Sequence, residues 1–191
     1  MKRTLKMPHR RVREGRTDYH QRLRLLKSGM PRFVARKSGN AFSCQLVEHR
    51  PAGDRTLVTA TVPQLRKLGW KGHGGSLPSA YLVGYLCGMA AKKKGIAQAV
   101  ADFGLYRSTK GSRLYASLKG AVDAGLSIPH AKEILPPEDR VLGKHIAAYA
   151  DLLKKQSPEK YQRVFSAYLK HAFAPETIAT HAAEIKKKIA G

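Results

Sequence analysis

Hydrophobic periodicity along the chain predicts an antiparallel meander followed by helix, strand and helix. Tyr19, Leu23 and Leu26 fall at i, i+4 and i+7, a single helical stripe, with His20, Arg22, Arg24 and Lys27 off it. Gly29 and Pro31 end that helix. Residues 32–37, 41–49 and 55–62 read as strands, separated by Ser38-Gly39-Asn40 and Pro51-Ala52-Gly53-Asp54, both with strong turn chemistry. A short helix is predicted over 63–68 and a longer one over 78–94, closed by Gly95. Gly84 and Gly88, one turn apart, give the longer helix a face able to approach the sheet closely. Residues 96–103 then read as a buried strand, and 112–124 as a helix ended by Gly125, with Leu114, Leu118, Ala121 and Val122 inward.

Strand followed by helix, twice over, requires crossover connections. The expected fold class is therefore α/β (α+β), a mixed sheet that starts with an antiparallel meander and carries helices packed on it. Beyond Pro129 the character becomes helical. Pro136-Pro137 precedes a helical pattern to about Lys155, Ser157-Pro158-Glu159 is an N-cap with proline at the first helical position, and Pro175 opens a last helix. The expected organisation is a basic arm over 1–16, a mixed α/β core over 17–135 and a C-terminal helical extension over 136–191.

Composition adds the partner. The 191 residues are 42% hydrophobic, enough for a core, which excludes wholesale disorder. Lys plus Arg number 36 against 13 Asp plus Glu, a formal net charge of +23, and such a field makes nucleic acid the default partner because each cation set against a phosphate releases a counterion. The charge leans forward: +11 over 1–37, +8 over 38–129 and +4 over 130–191. Lys2, Arg3, Lys6, Arg10, Arg11, Arg13 and Arg16 stand among few apolar residues. Such a stretch cannot offset its ordering entropy by burial, so it reads as an arm that orders against phosphates; a solubilising tail is the plainer alternative.

Cys44 and Cys87 match neither a metal-knuckle spacing nor a disulfide scaffold, which points to a reducing compartment. The longest apolar run, 77–91, holds Pro78, Gly84 and Gly88 and falls short of the roughly 20 residues of a membrane span. The N-terminus has no apolar signal core. A soluble, cytoplasmic protein is expected, with no membrane and no small-molecule substrate.

Two loops carry candidate chemistry. In Lys71-Gly72-His73-Gly74-Gly75-Ser76, three glycines let backbone N–H groups approach a phosphate that Lys71 and His73 also reach, although the loop lacks the ending of a Walker P-loop. A merely flexible connection is the alternative. The second loop, 106–113, joins the buried strand to a helix N-terminus that attracts anions. Arg107, Lys110 and Arg113 add charge there, and Ser108, Thr109 and Ser112 add hydroxyl donors; the alternative is a plain N-cap by Ser112. Lys92, Lys93 and Lys94 complement a helix dipole as well as they would meet RNA.

Asp102-Phe103-Gly104 spells a kinase magnesium motif without any of its companions and is a coincidence of a strand end. The eight histidines are dispersed with no zinc spacing, so no metal and no cofactor is expected. Trp70, Tyr81 and Tyr85 are candidate stacking platforms for bases, but Tyr81 and Tyr85, at helical spacing, read as core. Asp54, Asp102 and Asp123 could meet on a sheet around Mg²⁺, which makes a Mg²⁺-dependent nuclease or RNA-processing enzyme the rival reading. A generic basic chaperone of nucleic acid is a third.

Five runs together carry a resemblance: Glu14-Gly15-Arg16-Thr17-Asp18-Tyr19, Arg22-Leu23-Arg24-Leu25-Leu26-Lys27-Ser28-Gly29, Gly69-Trp70-Lys71-Gly72, Arg107-Ser108-Thr109-Lys110-Gly111-Ser112-Arg113, and Leu118-Lys119-Gly120-Ala121-Val122-Asp123-Ala124-Gly125-Leu126-Ser127-Ile128-Pro129-His130. In order and spacing, over about 11–146, the chain resembles the archaeal type of the L-eighteen family of large-subunit ribosomal proteins, whose eukaryotic counterpart is L-five. The resemblance implies a non-enzymatic 5S-rRNA-binding constituent of the central protuberance with a ribonuclease-H-like mixed sheet. It implies as partners 5S rRNA, large-subunit rRNA and neighbouring large-subunit proteins. It further implies RNA contacts at Arg10, Arg11, Arg13, Arg16, Thr17, Tyr19, Arg22 and Arg24, and at the loops holding Lys71 and His73 and residues Arg107 to Arg113.

Overall fold

A computed structural model describes residues 7–191. The three strands of the meander form where alternation and turn chemistry place them: β1 (Arg32–Lys37), β2 (Phe42–Glu48) and β3 (Arg55–Thr61). They pair antiparallel, β1 with β2 and β2 with β3, and β4 (Val100–Asp102) adds to the free edge of β1 in parallel, giving the mixed order β3-β2-β1-β4. The fold class is the expected mixed α/β sheet. β4 is shorter than the strand expected over 96–103: Ala97 and Gln98 are exposed, and Gln98 only bridges to Ser127.

Period-two alternation sorts the sheet's faces. Phe33, Ala35, Phe42, Cys44, Leu46, Val58 and Ala60 point inward and are buried. The opposite face of β1 carries Arg32, Val34 and Arg36. Over the apolar face lie α4 (Leu77–Lys93) and α5 (Arg113–Asp123), with the short α3 (Val62–Lys67) leading out of β3. Thr61 caps α3 in a reciprocal capping box with Gln64 and a proline in the first turn, and the Ser76 hydroxyl accepts from the Ser79 N–H at the start of α4. Tyr81 and Tyr85 are buried as expected. Burial and the nearby Cys87 push the Cys44 thiol up, and burial pushes that of Cys87 up to about 12, so both stay protonated in the interior.

The small face of α4 meets α5 rather than the sheet. A Cβ on Gly84 would collide with the Ser117 carbonyl, one on Gly120 with the Tyr81 carbonyl, and one on Gly88 would stand 2.6 Å from the Ala124 methyl. The two helices cross with their backbones almost in contact. Gly84→Ala is therefore expected to cost about 2–3 kcal/mol, because a helix backbone cannot step aside as a flexible side chain would. A urea midpoint equal to that of the unaltered protein would contradict this packing.

The N-terminal elements are α1 (Arg10–Arg13) and α2 (Tyr19–Leu26), the latter capped by the Asp18 carboxylate, which accepts from the His20 and Gln21 N–H groups. The stripe expected to bury this helix does not do so: Tyr19 is 40% and Leu23 55% exposed. Arg22 and Leu25 face the sheet instead, because the outer face of β1 offers arginines and carboxylates rather than an apolar surface.

The C-terminal residues form α6 (Glu138–Leu142), α7 (Lys144–Gln156), α8 (Pro158–Val164), α9 (Ser166–Lys170) and α10 (Ile178–Ala190), with a 3₁₀ turn at Pro175–Thr177 before the last. The single pattern expected to reach Lys155 breaks at Gly143, whose φ of 85° ends α6. Ile178, Ala182, Ile185 and Ile189 make the buried stripe of α10, which packs on α4. Lys186 lies over the Tyr81 and Tyr85 rings at 5.2 and 5.4 Å. Among the described residues no helix is long and apolar enough to cross a membrane.

Candidate nucleic-acid interface

A ladder of ion pairs joins α2 to the sheet. Arg22 donates to both oxygens of Asp54 at 2.8 Å. Arg32 donates to Asp54 at 2.6 Å and to Asp102 at 2.7 Å, and Arg36 reaches the same Asp102 carboxylate at 3.2 Å. Three guanidiniums thus alternate with two carboxylates, across α2, the turn before β3, β1 and β4. Its centre is buried, with the Arg32 side chain 5% and that of Asp102 9% exposed. Above the ladder opens a cleft of about 190 Å³ lined by Arg11, Arg16, Arg22, Arg32 and Arg36 among others.

The ladder also settles where the carboxylates of the nuclease reading go. Arg32 stands between Asp54 and Asp102, in the space a bridging metal would need, and Asp123 accepts from the Tyr81 hydroxyl at 2.7 Å elsewhere. The three acids therefore make no common metal site. Asp102 instead accepts from the Gly104 N–H at 2.9 Å, a structural duty for the kinase-like triplet.

Burial raises the affinity of Asp54 for its proton. The hydrogen bonds from Arg22 and His49 and the charge of Arg32 outweigh that effect and hold the carboxyl at about 2. Asp102 is likewise lowered, its burial outweighed by Arg36, Arg32 and the Gly104 N–H. A carboxylate depressed in the folded state stabilises the fold above its ordinary value of 3.8 and loses that contribution as pH falls through the folded one. The urea midpoint is thus expected to fall between about pH 4 and pH 2 as the ladder opens; a flat profile over that window would contradict it.

The described arm residues, 7–16, are exposed. Arg10 and Arg16 share Glu14 at 2.7 and 3.3 Å, and Arg11 donates to the Thr17 hydroxyl at 3.0 Å. Surface pairs of this kind hold little energy and leave the guanidiniums available. Tyr19 packs edge-on to His9, Arg24 and Arg13 stand free of the sheet, and Lys2, Arg3 and Lys6 lie outside the described residues.

The glycine loop differs from expectation in what it offers. Most of its N–H groups are engaged by the protein itself: Lys71 donates to His181 Nε2, His73 to the Tyr168 hydroxyl, Gly74 to Asn40 Oδ1 and Gly75 to His73 Nδ1. The glycines are needed for close approach, since a Cβ on Gly72 would strike the Trp70 ring and one on Gly74 or Gly75 the carbonyls of Asn40 or Gly39. What faces outward is the side chains of Lys71 and His73. Arg113, read as a free cation, instead donates to the Gly75 carbonyl at 2.8 Å and ties the loop to α5. Ser112 takes the N-cap position of α5, but its hydroxyl makes no capping bond, while Ser108 pairs with the Tyr115 hydroxyl. Arg107, Thr109 and Lys110 are exposed, the last 3.9 Å from Glu133.

The contacts bring the two loops and the β1–β2 turn together near the carboxyl ends of β1 and β4, and the arginine cleft borders Gly104 and Leu105 at the same end. Arg32 and Arg36 were not among the residues singled out from sequence. Their only signal is their alternate spacing in a strand, which places both on the polar face.

The described geometry agrees with a family-level match. The model of the family described as "Ribosomal large subunit proteins 60S L5, and 50S L18" matches residues 3–98 and 91–131, which take in the whole sheet, α4, α5 and the N-terminal arginines. The chain belongs to this family and is an RNA-binding protein of the large ribosomal subunit.

Proposed function

We propose that this chain binds 5S rRNA and holds it against the large-subunit rRNA in the central protuberance, as a structural element with no reaction of its own. It recognises folded RNA mainly through phosphate and shape. The observation that supports this is the arginine cleft over the outer face of the sheet, which reaches Gly104 and Leu105 at the end where the joined 71–76 and 106–113 loops stand, with exposed cations outnumbering carboxylates there. Residues 1–16 act as an arm laid along RNA, 17–135 as the rigid core that sets the angle between RNA helices, and 136–191 as a helical extension. Arg10, Arg11, Arg13, Arg16, Arg22 and Arg24 contact phosphate, Thr17 and Tyr19 sugar or base, and Lys71, His73 and Arg107 to Arg113 a second stretch of backbone.

Each phosphate contact contributes a fixed increment to salt dependence. Replacing Arg107 and Lys110 together by Gln is expected to lower the slope of log K for 5S rRNA against log salt by about 1.5, at 0.7–0.9 per contact. An unchanged slope would remove the 106–113 loop from the interface.

A further inference from the structure

Between the 71–76 loop and α9 lies a second cleft, of about 300 Å³, walled by α3 and the loop on one side and by Tyr168 and His171 on the other. Most of its side-chain hydrogen-bonding groups are left as donors. The Gly75 N–H donates to His73 Nδ1, so the proton of the neutral ring sits on Nε2 as a donor. The Tyr168 hydroxyl already accepts from the His73 N–H and keeps its own proton to give. Asn40 Oδ1 is occupied by the Gly74 N–H, which leaves its NH₂ group. Arg66 and Lys71 stand exposed in the wall, and none of the lining residues is acidic. Trp70, buried with an Nε1–H that finds no partner among the described residues, lines the cleft and stacks on His181 at 5.3 Å.

A wall of donors and cations, interleaved with four aromatic or imidazole rings, suits one ligand chemistry: an anionic group joined to a flat ring edged with acceptors. The volume is at the lower end of what small-ligand sites enclose, enough for a single nucleotide. We propose that this cleft captures one unstacked nucleotide of RNA, its phosphate against Arg66 and Lys71 and a carbonyl-bearing edge, of uracil or guanine, against His73, Tyr168 and Asn40. Adenine and cytosine would present their amino groups to donors. The inference rests on the RNA-binding reading and extends it, since Tyr168 and His171 belong to the C-terminal helices.

Trp70 is the chain's single tryptophan and reports on the cleft directly. The full chain is titrated with hexauridylate, hexaadenylate, inorganic phosphate and polyglutamate at constant ionic strength, following Trp70 emission, with 5S rRNA binding measured in parallel. A saturable emission change with hexauridylate, weaker with hexaadenylate and absent with phosphate, is expected. Replacing the exposed Arg66 and Lys71 by Gln should weaken hexauridylate binding by about tenfold or more, the worth of a charge-assisted contact. Equal responses to both oligonucleotides would overturn the base edge, a response to phosphate alone the nucleotide, and one to polyglutamate alone would assign the cleft to a protein. No emission change while 5S rRNA still binds would overturn the cleft and leave the RNA-binding reading standing; loss of 5S rRNA binding would overturn that reading itself.

Discussion

Asp102→Asn is expected to cost about 3–5 kcal/mol of folding stability, seen as a lower urea midpoint with an unchanged slope. The substitution keeps the side chain's shape, removes its charge and turns one of its two accepting oxygens into an NH₂ donor facing other donors. Arg32, almost wholly buried, would then share Asp54 with Arg22 and lose its second carboxylate, while Arg36 would keep its bond to the backbone carbonyl of residue 102 but lose its charged partner. An uncompensated buried charge is what makes breaking such a pair expensive, whereas exchanging both partners for apolar groups of similar volume is nearly neutral. The double variant Arg32→Met with Asp102→Leu should therefore be more stable than Asp102→Asn alone. If the double variant were the worse of the two, the ladder would contribute by attraction rather than by mutual neutralisation, and the account of how α2 is held would be wrong.

Deleting residues 1–16 is expected to weaken 5S rRNA binding on the order of a thousandfold at moderate salt and to lower the slope of log K against log salt by about 5. The segment holds Lys2, Arg3, Lys6, Arg10, Arg11, Arg13 and Arg16, offset by Glu14. Two of these arginines, Arg11 and Arg16, line the cleft over the ladder, so the loss is of placed charge as well as of total charge. The sheet domain should fold unaltered, because α1 buries no residue. An unchanged slope would mean that the arm is a solubilising tail.

How far the molecule was legible in its sequence depended on the range of the interactions involved. The meander, its turns and the helices α4 and α5 follow from local signals, the period of apolar residues, Ser76, Gly95 and Gly125 among them, and all lie within a residue or two of where these signals place them. The class of ligand followed from charge. Long-range pairing was not legible: nothing near Arg32 announces that its partners are Asp54 and Asp102, 22 and 70 residues away. For the same reason the stripe of Tyr19 and Leu23 pointed the wrong way, since a helix turns toward its best partner and here that partner is a carboxylate on the sheet. The glycine loop showed its composition but not its use. Four of its N–H groups are consumed by Asn40, His73, Tyr168 and His181, two of which arrive from the far end of the chain.

Tyr19, Leu23 and Val12 remain exposed on the arm side of the molecule, beside the arginines. An apolar surface so placed suits bases or sugars exposed between RNA helices better than it suits water. On the proposed reading it complements the cations that would meet phosphate. The arm's cations would draw two RNA segments together against their mutual repulsion, and the rigid sheet would fix the angle between them.

The most direct test of that role is a salt titration of binding to purified 5S rRNA in the presence of a large excess of transfer RNA. Both RNAs carry one phosphate charge per nucleotide, so competition by an excess separates shape from electrostatics. Binding to 5S rRNA that survives the competitor across the titration is the result expected of a structural constituent that recognises folded 5S rRNA. Complete displacement by transfer RNA at every salt concentration would contradict it and reduce the interface to a polycation.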